Sequence, residues 1–269
     1  MITTLGELDQ SLRERGVKEA IGRLGKIYLI LSGKGGVGKT TLAVNLAWAK
    51  VMAGHRVGLL DVDLHGPDLA AALYCDAKLE VDEGGRLVPA SPVKNLWVLT
   101  LQHLLGRGDE AVLWRGPRKM RAIIQFIGET AWPELDYFFI DSPPGTGDET
   151  LTVLKRMPEA RPLVVSAGQK MALSDVAKAI DCLSVCGVKP YGLIDNLSAL
   201  ICPGCGQVVE IGDKNATRQL AEKLGVPFLA TLPMDPAAAK AADSAQKPLV
   251  EAAPSSGLAK AILDLAESL

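Results

Sequence analysis

Ser32-Gly33-Lys34-Gly35-Gly36-Val37-Gly38-Lys39-Thr40-Thr41 decides the reading of this chain. Gly33, Gly38, Lys39 and Thr40 satisfy G-x-x-x-x-G-K-[ST], a loop whose backbone N–H groups surround phosphates while the lysine reaches the β/γ oxygens and the hydroxyl holds Mg²⁺. The whole run from Gly33 to Thr41, with Gly35, Gly36 and Val37 inside it, is the candidate phosphate cradle. Ile27 to Leu31 is a short β-rich apolar run before it, and Thr40 to Ala53 carries apolar residues at helical spacing behind it. Strand, loop and helix N-terminus in that order are the context the motif needs. ATP or GTP with Mg²⁺ is the expected ligand.

The chain has 269 residues, of which 48% are hydrophobic, enough for one large core. Formal net charge is −2 and the sequence pI about 6.0, with no basic block, so no nucleic-acid partner is expected. Met1 to Gln10 has two acids and no positive flank, unlike a signal peptide. No apolar run approaches the ~18 residues of a membrane span. Five cysteines without such a signal point to a reducing cytoplasm and to thiols used as ligands or core filler rather than disulfides.

Residues 1 to 25 read as a helical N-terminal extension, with Leu5, Leu8 and Leu12 on one face. Residues 26 to 269 then alternate strand and helix as one domain. Strands are predicted at Arg56 to Leu60, Leu96 to Leu101, Asp136 to Ile140, Leu163 to Ser166, Tyr191 to Asp195 and Pro227 to Thr231, and helices near 117 to 128, 148 to 157, 172 to 186 and 214 to 224. The fold class is α/β, a doubly wound and mainly parallel sheet with helices on both faces and its ligand outside the carboxyl ends of the strands. Residues 76 to 95 read as an excursion or short hairpin, and 201 to 213 as an irregular, cysteine-bearing insertion. The amphipathic tail, Ser256 to Leu269, lacks the lysine-rich face that would bind a membrane, and is expected to pack on the domain.

Two carboxylate segments follow predicted strands. Asp61-Val62-Asp63-Leu64-His65-Gly66-Pro67 delivers two aspartates beside the phosphate loop, where carboxylates order the waters of Mg²⁺ or orient an attacking water. With no second ligand at metal spacing, His65 reads as a loop histidine. Tyr137-Phe138-Phe139-Ile140-Asp141 is a buried strand that brings a carboxylate to Mg²⁺, and Ser142-Pro143-Pro144-Gly145-Thr146-Gly147-Asp148 follows it. Its prolines stiffen the start and Gly145 lets a backbone N–H approach the γ-phosphate.

Lys34, directly after the first loop glycine, resembles the extra lysine of the deviant Walker A loop in the MinD/ParA/nitrogenase-iron-protein class. There it crosses a dimer interface to the partner's nucleotide. A cation on developing phosphate charge stabilises the transition state, so a lysine supplied in trans would make hydrolysis depend on association. A solvated surface lysine is the alternative. Taken together, the segment from Asp141 to Asp148, Trp114-Arg115-Gly116-Pro117, the segment from Asp61 to Pro67 and Cys202-Pro203-Gly204-Cys205-Gly206 resemble the Mrp/ApbC branch of these ATPases, which carry iron–sulfur clusters. The resemblance spans residues 25 to 250.

It implies a slow, Mg²⁺-dependent ATPase that acts as a homodimeric, cytoplasmic [4Fe–4S] carrier serving apo iron–sulfur proteins. Lys34, Lys39 and Asp63 would be its catalytic groups, with Asp63 positioning water. Thr40 and Asp141 would hold Mg²⁺. Asn196, in Asp195-Asn196-Leu197-Ser198, and Pro233 with Asp235, in Leu232-Pro233-Met234-Asp235, would surround the base. Ala167-Gly168-Gln169 and Gly212-Asp213-Lys214 depart from the family's usual loops. The other reading is a MinD/ParA-type positioning switch with a zinc-filled or empty thiol pair.

Cys202 and Cys205 supply two thiolates, whereas a cubane cluster or tetrahedral zinc takes about four ligands. A two-fold axis would double the pair, in keeping with the dimer that Lys34 implies. A redox pair or zinc knuckle is the alternative. Cys182 and Cys186, at i and i+4 on an apolar helix, read as core cysteines, and Cys75 as structural.

Overall fold

A computed structural model describes residues 16–105, 116–168, 170–211, 213 and 215–269. Leu5, Leu8 and Leu12 of the expected extension lie outside the described residues, as do Trp114, Arg115, Gln169, Gly212 and Lys214. The chain forms, in order, β1 (Lys26–Leu31), α1 (Lys39–Met52), β2 (Val57–Asp61), α2 (Leu69–Ala72), β3 (Glu80–Val81), β4 (Leu87–Val88), β5 (Leu96–Leu99), α3 (Gln102–Leu105) and α4 (Gly116–Gly128). It continues with β6 (Tyr137–Asp141), α5 (Asp148–Arg156), β7 (Arg161–Ser166), α6 (Lys170–Val185), β8 (Gly192–Ile201), β9 (Val208–Glu210), α7 (Ala216–Leu224), β10 (Phe228–Met234), α8 (Pro236–Ala245), α9 (Leu249–Ala252) and α10 (Gly257–Ser268).

Seven strands run in the order β10-β8-β7-β1-β6-β2-β5, every neighbouring pair parallel, and β9 adds to β8 antiparallel. Side chains alternate across a strand, so a strand buried on both faces must be apolar throughout. β1 shows this. Leu29 and Leu31 point into one core with Phe138 and Ile140 of β6, beneath Ile123 and Phe126 of α4 and Val176 and Ile180 of α6. Tyr28 and Ile30 point into the other with Phe139, beneath Leu42 and Leu46 of α1 and Ile262 and Leu265 of α10. The expected tail helix thus packs on the domain. Burial of that scale, at ~25 cal/mol per Å² of apolar surface, is what offsets the chain entropy of so many ordered residues.

Several segments differ from their sequence reading, the short helices α2 and α3 among them. Residues 201–213 are not irregular throughout: β8 runs on to Ile201, and Leu200 pairs with Val209 of β9 to make an antiparallel hairpin. The Cys-Pro-Gly-Cys turn hides this, since it interrupts the alternation by which a strand is recognised. Helices α8 and α9 were not foreseen, although Asp235 caps α8 by accepting from the Ala238 N–H at 3.1 Å and proline follows at its first turn. Finally, Val17 and Leu24 belong to the same core as Leu29 and Leu31, so the described end of the N-terminal segment packs with the sheet.

Candidate nucleotide and thiol sites

The phosphate loop leaves the carboxyl end of the central strand and enters α1. Its shape depends on missing side chains. A Cβ on Gly33 would lie 2.3 Å from the Asp175 backbone, so only glycine lets the loop start against α6. Gly38 has φ 84°, and a Cβ there would meet Asn196 Nδ2 at 2.4 Å. That amide donates to the Val37 carbonyl at 2.8 Å. Asn196 therefore braces the loop from β8 in addition to lining the cavity beside it. Lys39 is buried, and desolvation lowers its pKa while Asp141 and Asp63 pull it back up. Lys34 is exposed at the rim of the loop.

Parallel pairing of β2 with β6 places Asp61 directly opposite Asp141. The two carboxylates are held differently. Asp61 accepts from the Thr100 hydroxyl at 3.0 Å and from the Asp63 N–H at 2.9 Å, and burial, then the Asp141 charge, pushes its pKa well above the ordinary range. Asp141 accepts from the Thr40 hydroxyl at 2.5 Å, and burial raises its pKa to about 7 against the pull of Thr40 and Lys39. Its other oxygen, Oδ1, is buried without a hydrogen-bond partner. An orphaned buried carboxylate oxygen beside a threonine hydroxyl is a donor set that suits a hard, partly hydrated cation. The residues present therefore fit Mg²⁺.

Asp63 Oδ1 accepts from the amides of His65 and Gly66, each at 3.2 Å, which fixes the turn after β2. Gly145, with φ 83°, donates its N–H to the Ser32 carbonyl at 2.8 Å, so the loop after β6 is fastened to the start of the phosphate loop. Beside Gly38 opens a cavity of ≈ 340 Å³ walled by Leu42, Asn196, Leu232, Pro233, Asp235 and Ile262. Apolar walls with one amide and one carboxyl group suit a flat heteroaromatic base. Asp235 lies at its edge, one carboxyl oxygen committed to capping α8.

Cys202 and Cys205 occupy the turn of the β8–β9 hairpin, half-buried and exposed respectively. Cys202's thiol pKa is lowered by the N–H groups of Gly204 and Cys205, with a further contribution from the Cys205 side chain. Such a turn favours the thiolate, the form that binds metal. Among the described residues no group of three or more His, Cys, Asp or Glu could hold a metal ion. Cys186, packed on the core that holds Leu29, and Cys75, packed on the core that holds Tyr28, have thiol pKa values raised by burial.

Sequence reasoning missed Thr100, Lys119 and Glu149. Thr100 follows β5 and reaches Asp61 only because β5 pairs with β2. Lys119 on α4 and Glu149 on α5 form an ion pair at 2.9 Å beside His65. Glu149 two residues after Gly147 was the available signal, since an acid in the first turn of a helix meets its positive end.

The family described as ParA: NUBPL iron-transfer P-loop NTPase matches residues 23–269. A cytosolic Fe-S cluster assembly factor Nubp2 homolog of Anopheles gambiae is 41% identical over 215 residues, 78% of this chain and 83% of that protein. An iron-sulfur cluster carrier protein of Methanocaldococcus jannaschii is 36% identical over 228 residues, 84% and 79% of the two chains. Among solved structures, a nucleotide-binding protein of Archaeoglobus fulgidus in complex with ADP superposes with TM-score 0.73 at 28% identity, covering 95% of this chain and 93% of that one. The cell division ATPase MinD of Pyrococcus furiosus does so with TM-score 0.64 at 25% identity, covering 91% and 98%. A family match over nearly the whole chain and relatives about two-fifths identical agree, and the chain belongs to the NUBPL iron-transfer P-loop NTPases of the ParA family.

Proposed function

We propose that this protein is a cytoplasmic, homodimeric, Mg²⁺-dependent ATPase that carries a [4Fe–4S] cluster between two copies of the chain and passes it to apo iron–sulfur proteins. The observation that carries the reading is the Cys202/Cys205 turn, a thiolate-favouring pair at the tip of a hairpin in a chain whose phosphate loop binds nucleotide. One chain offers two ligands there. A cubane cluster takes about four, and a two-fold axis through the turn supplies them. Relatives named for iron–sulfur assembly and carriage support the cargo, and the word cytosolic in one of those names supports the compartment.

The nucleotide chemistry follows from the site. Loop amides and Lys39 bind the phosphates, and Thr40 with Asp141 would hold Mg²⁺, which neutralises charge that develops on the γ-phosphoryl group. Asp63 orients the attacking water, and Lys34 reaches the nucleotide of the second copy. The Gly145 N–H, held by Ser32 here, is free to exchange that carbonyl for a γ-phosphate oxygen. Loss of the γ-phosphate would release the loop again, which couples hydrolysis to conformation. Asn196 and Pro233 surround the adenine, with Asp235 at the cavity edge.

Anaerobic reconstitution with iron and sulfide tests the cargo. The expected result is about four iron and four sulfide per dimer, lost in Cys202→Ser and Cys205→Ser and kept in Cys75→Ser, Cys182→Ser and Cys186→Ser. A pair that takes up zinc and refuses a cluster would instead favour a positioning switch. A full cluster on a Cys202→Ser monomer would overturn both the bridging site and the carrier function.

A further inference from the structure

Three ionisable side chains meet in the space between the loop after β2 and the loop after β6. Lys119 Nζ donates to Glu149 Oε1 at 2.9 Å and also contacts His65 Nε2, which is 3.9 Å from that same carboxylate oxygen. Lys119 and Glu149 are 12% and 8% exposed in their side chains, whereas His65 is 61% exposed. We propose that Lys119 is a positioning residue for nucleotide hydrolysis, a strut that ties the Asp63 turn to the Gly145 loop so that the two move together. The proposal rests on the nucleotide-hydrolysing reading of the phosphate loop.

The placement of Lys119 argues for such a role. It is the fourth residue of α4, near the end of that helix at which the peptide dipoles place partial positive charge. The start of α5 faces it, since a Cβ on Gly116 would touch Asp148 Oδ2 at 3.4 Å. A lysine between two positive helix ends is electrostatically unfavourable unless an acid offsets it, and Glu149 does so from within the first turn of α5.

Each end of the strut is tied to a loop that faces the phosphates. His65 and Gly66 donate their amides to Asp63 Oδ1, so a shift of the His65 ring carries the turn that holds the Asp63 carboxylate. Glu149 is the second residue of α5, the helix that follows Gly145, whose N–H is fastened to Ser32. Displacement of either loop is felt by the other through one ammonium group.

Hydrogen exchange on the nucleotide-free protein, together with steady-state hydrolysis of Mg-ATP, tests this. In His65→Leu, which alters an exposed side chain and leaves the core intact, exchange should rise at the amides of 145–149 as well as at 63–66. Lys119→Met should do the same and lower kcat about tenfold with KM changed less than twofold, while Lys119→Arg retains most of kcat. Combining His65→Leu with Lys119→Met should cost no more than Lys119→Met alone, as members of one network do not add. Exchange that rises only in the loop bearing the substitution, or fully additive losses in kcat, would overturn the strut. Wild-type protein that binds no Mg-ATP would overturn the parent reading, and the exchange result in the nucleotide-free protein would still decide the strut.

Discussion

Lys34 and Lys39 share one loop, yet burial separates them. Lys39 is enclosed beside two carboxylates, where its charge acts in a poorly screened environment, and Lys34 stands in solvent. Lys39→Ala should abolish binding of Mg-ATP in a titration. Lys34→Ala should leave affinity within about twofold and lower turnover roughly 100-fold, the scale on which a single transition-state donor acts. Normal turnover in Lys34→Ala would end its assignment in trans. Asp195 makes a prediction about pH. It is buried, accepts from the Thr217 hydroxyl at 2.8 Å, and its pKa is raised by burial from the ordinary 3.8. The folded state therefore holds this proton after the unfolded chain has released it. Stability from this group is full below pH 3.8 and is lost as pH rises through the raised value. Asp195→Asn keeps an acceptor for Thr217 and should flatten that limb of the melting temperature against pH.

Among the elements, the phosphate loop and the thiol hairpin illustrate two degrees of legibility. The loop could be read from its glycines and lysine because they stand at a fixed spacing within one short stretch of chain. Why Gly33 in particular is required is decided by α6, which approaches from more than a hundred residues away in the chain. Gly33→Ala should destabilise the protein by about 1–3 kcal/mol, as overpacking against rigid backbone does, and should weaken nucleotide binding. Thermal melts with and without Mg-ATP would show both effects, and an unchanged melting temperature would mean that α6 yields. The hairpin was harder to read. Its two thiols announced a metal-binding turn, while β9 after it is only 3 residues long and its exposed Val208 and Val209 carry no alternation toward a core. Helix α8 was missed for the opposite reason, an alanine-rich stretch whose few apolar contacts give only a faint period.

For the molecule as a whole, the carboxyl ends of β1, β2, β6 and β8 converge on one edge, and ligand binding there should stabilise the entire domain. Mg-ATP at about 100 times its dissociation constant should add roughly 2.7 kcal/mol, or about 5–10 °C in melting temperature, and Lys39→Ala should remove the gain. The sequence by itself determined the α/β class, the phosphate loop, the aspartates at the strand ends and the cysteine pair. Those features are written in residues adjacent in the chain, where periodicity and backbone geometry act locally. Only the tertiary structure decided that Asn196 braces the loop, that Thr100 holds Asp61, that one oxygen of Asp141 is left without a partner, and that Lys119 joins His65 to Glu149. Each of these depends on which strands become neighbours and which helix ends meet. That outcome is set by burying two apolar faces at once, a property of the whole packed sheet that no single segment encodes.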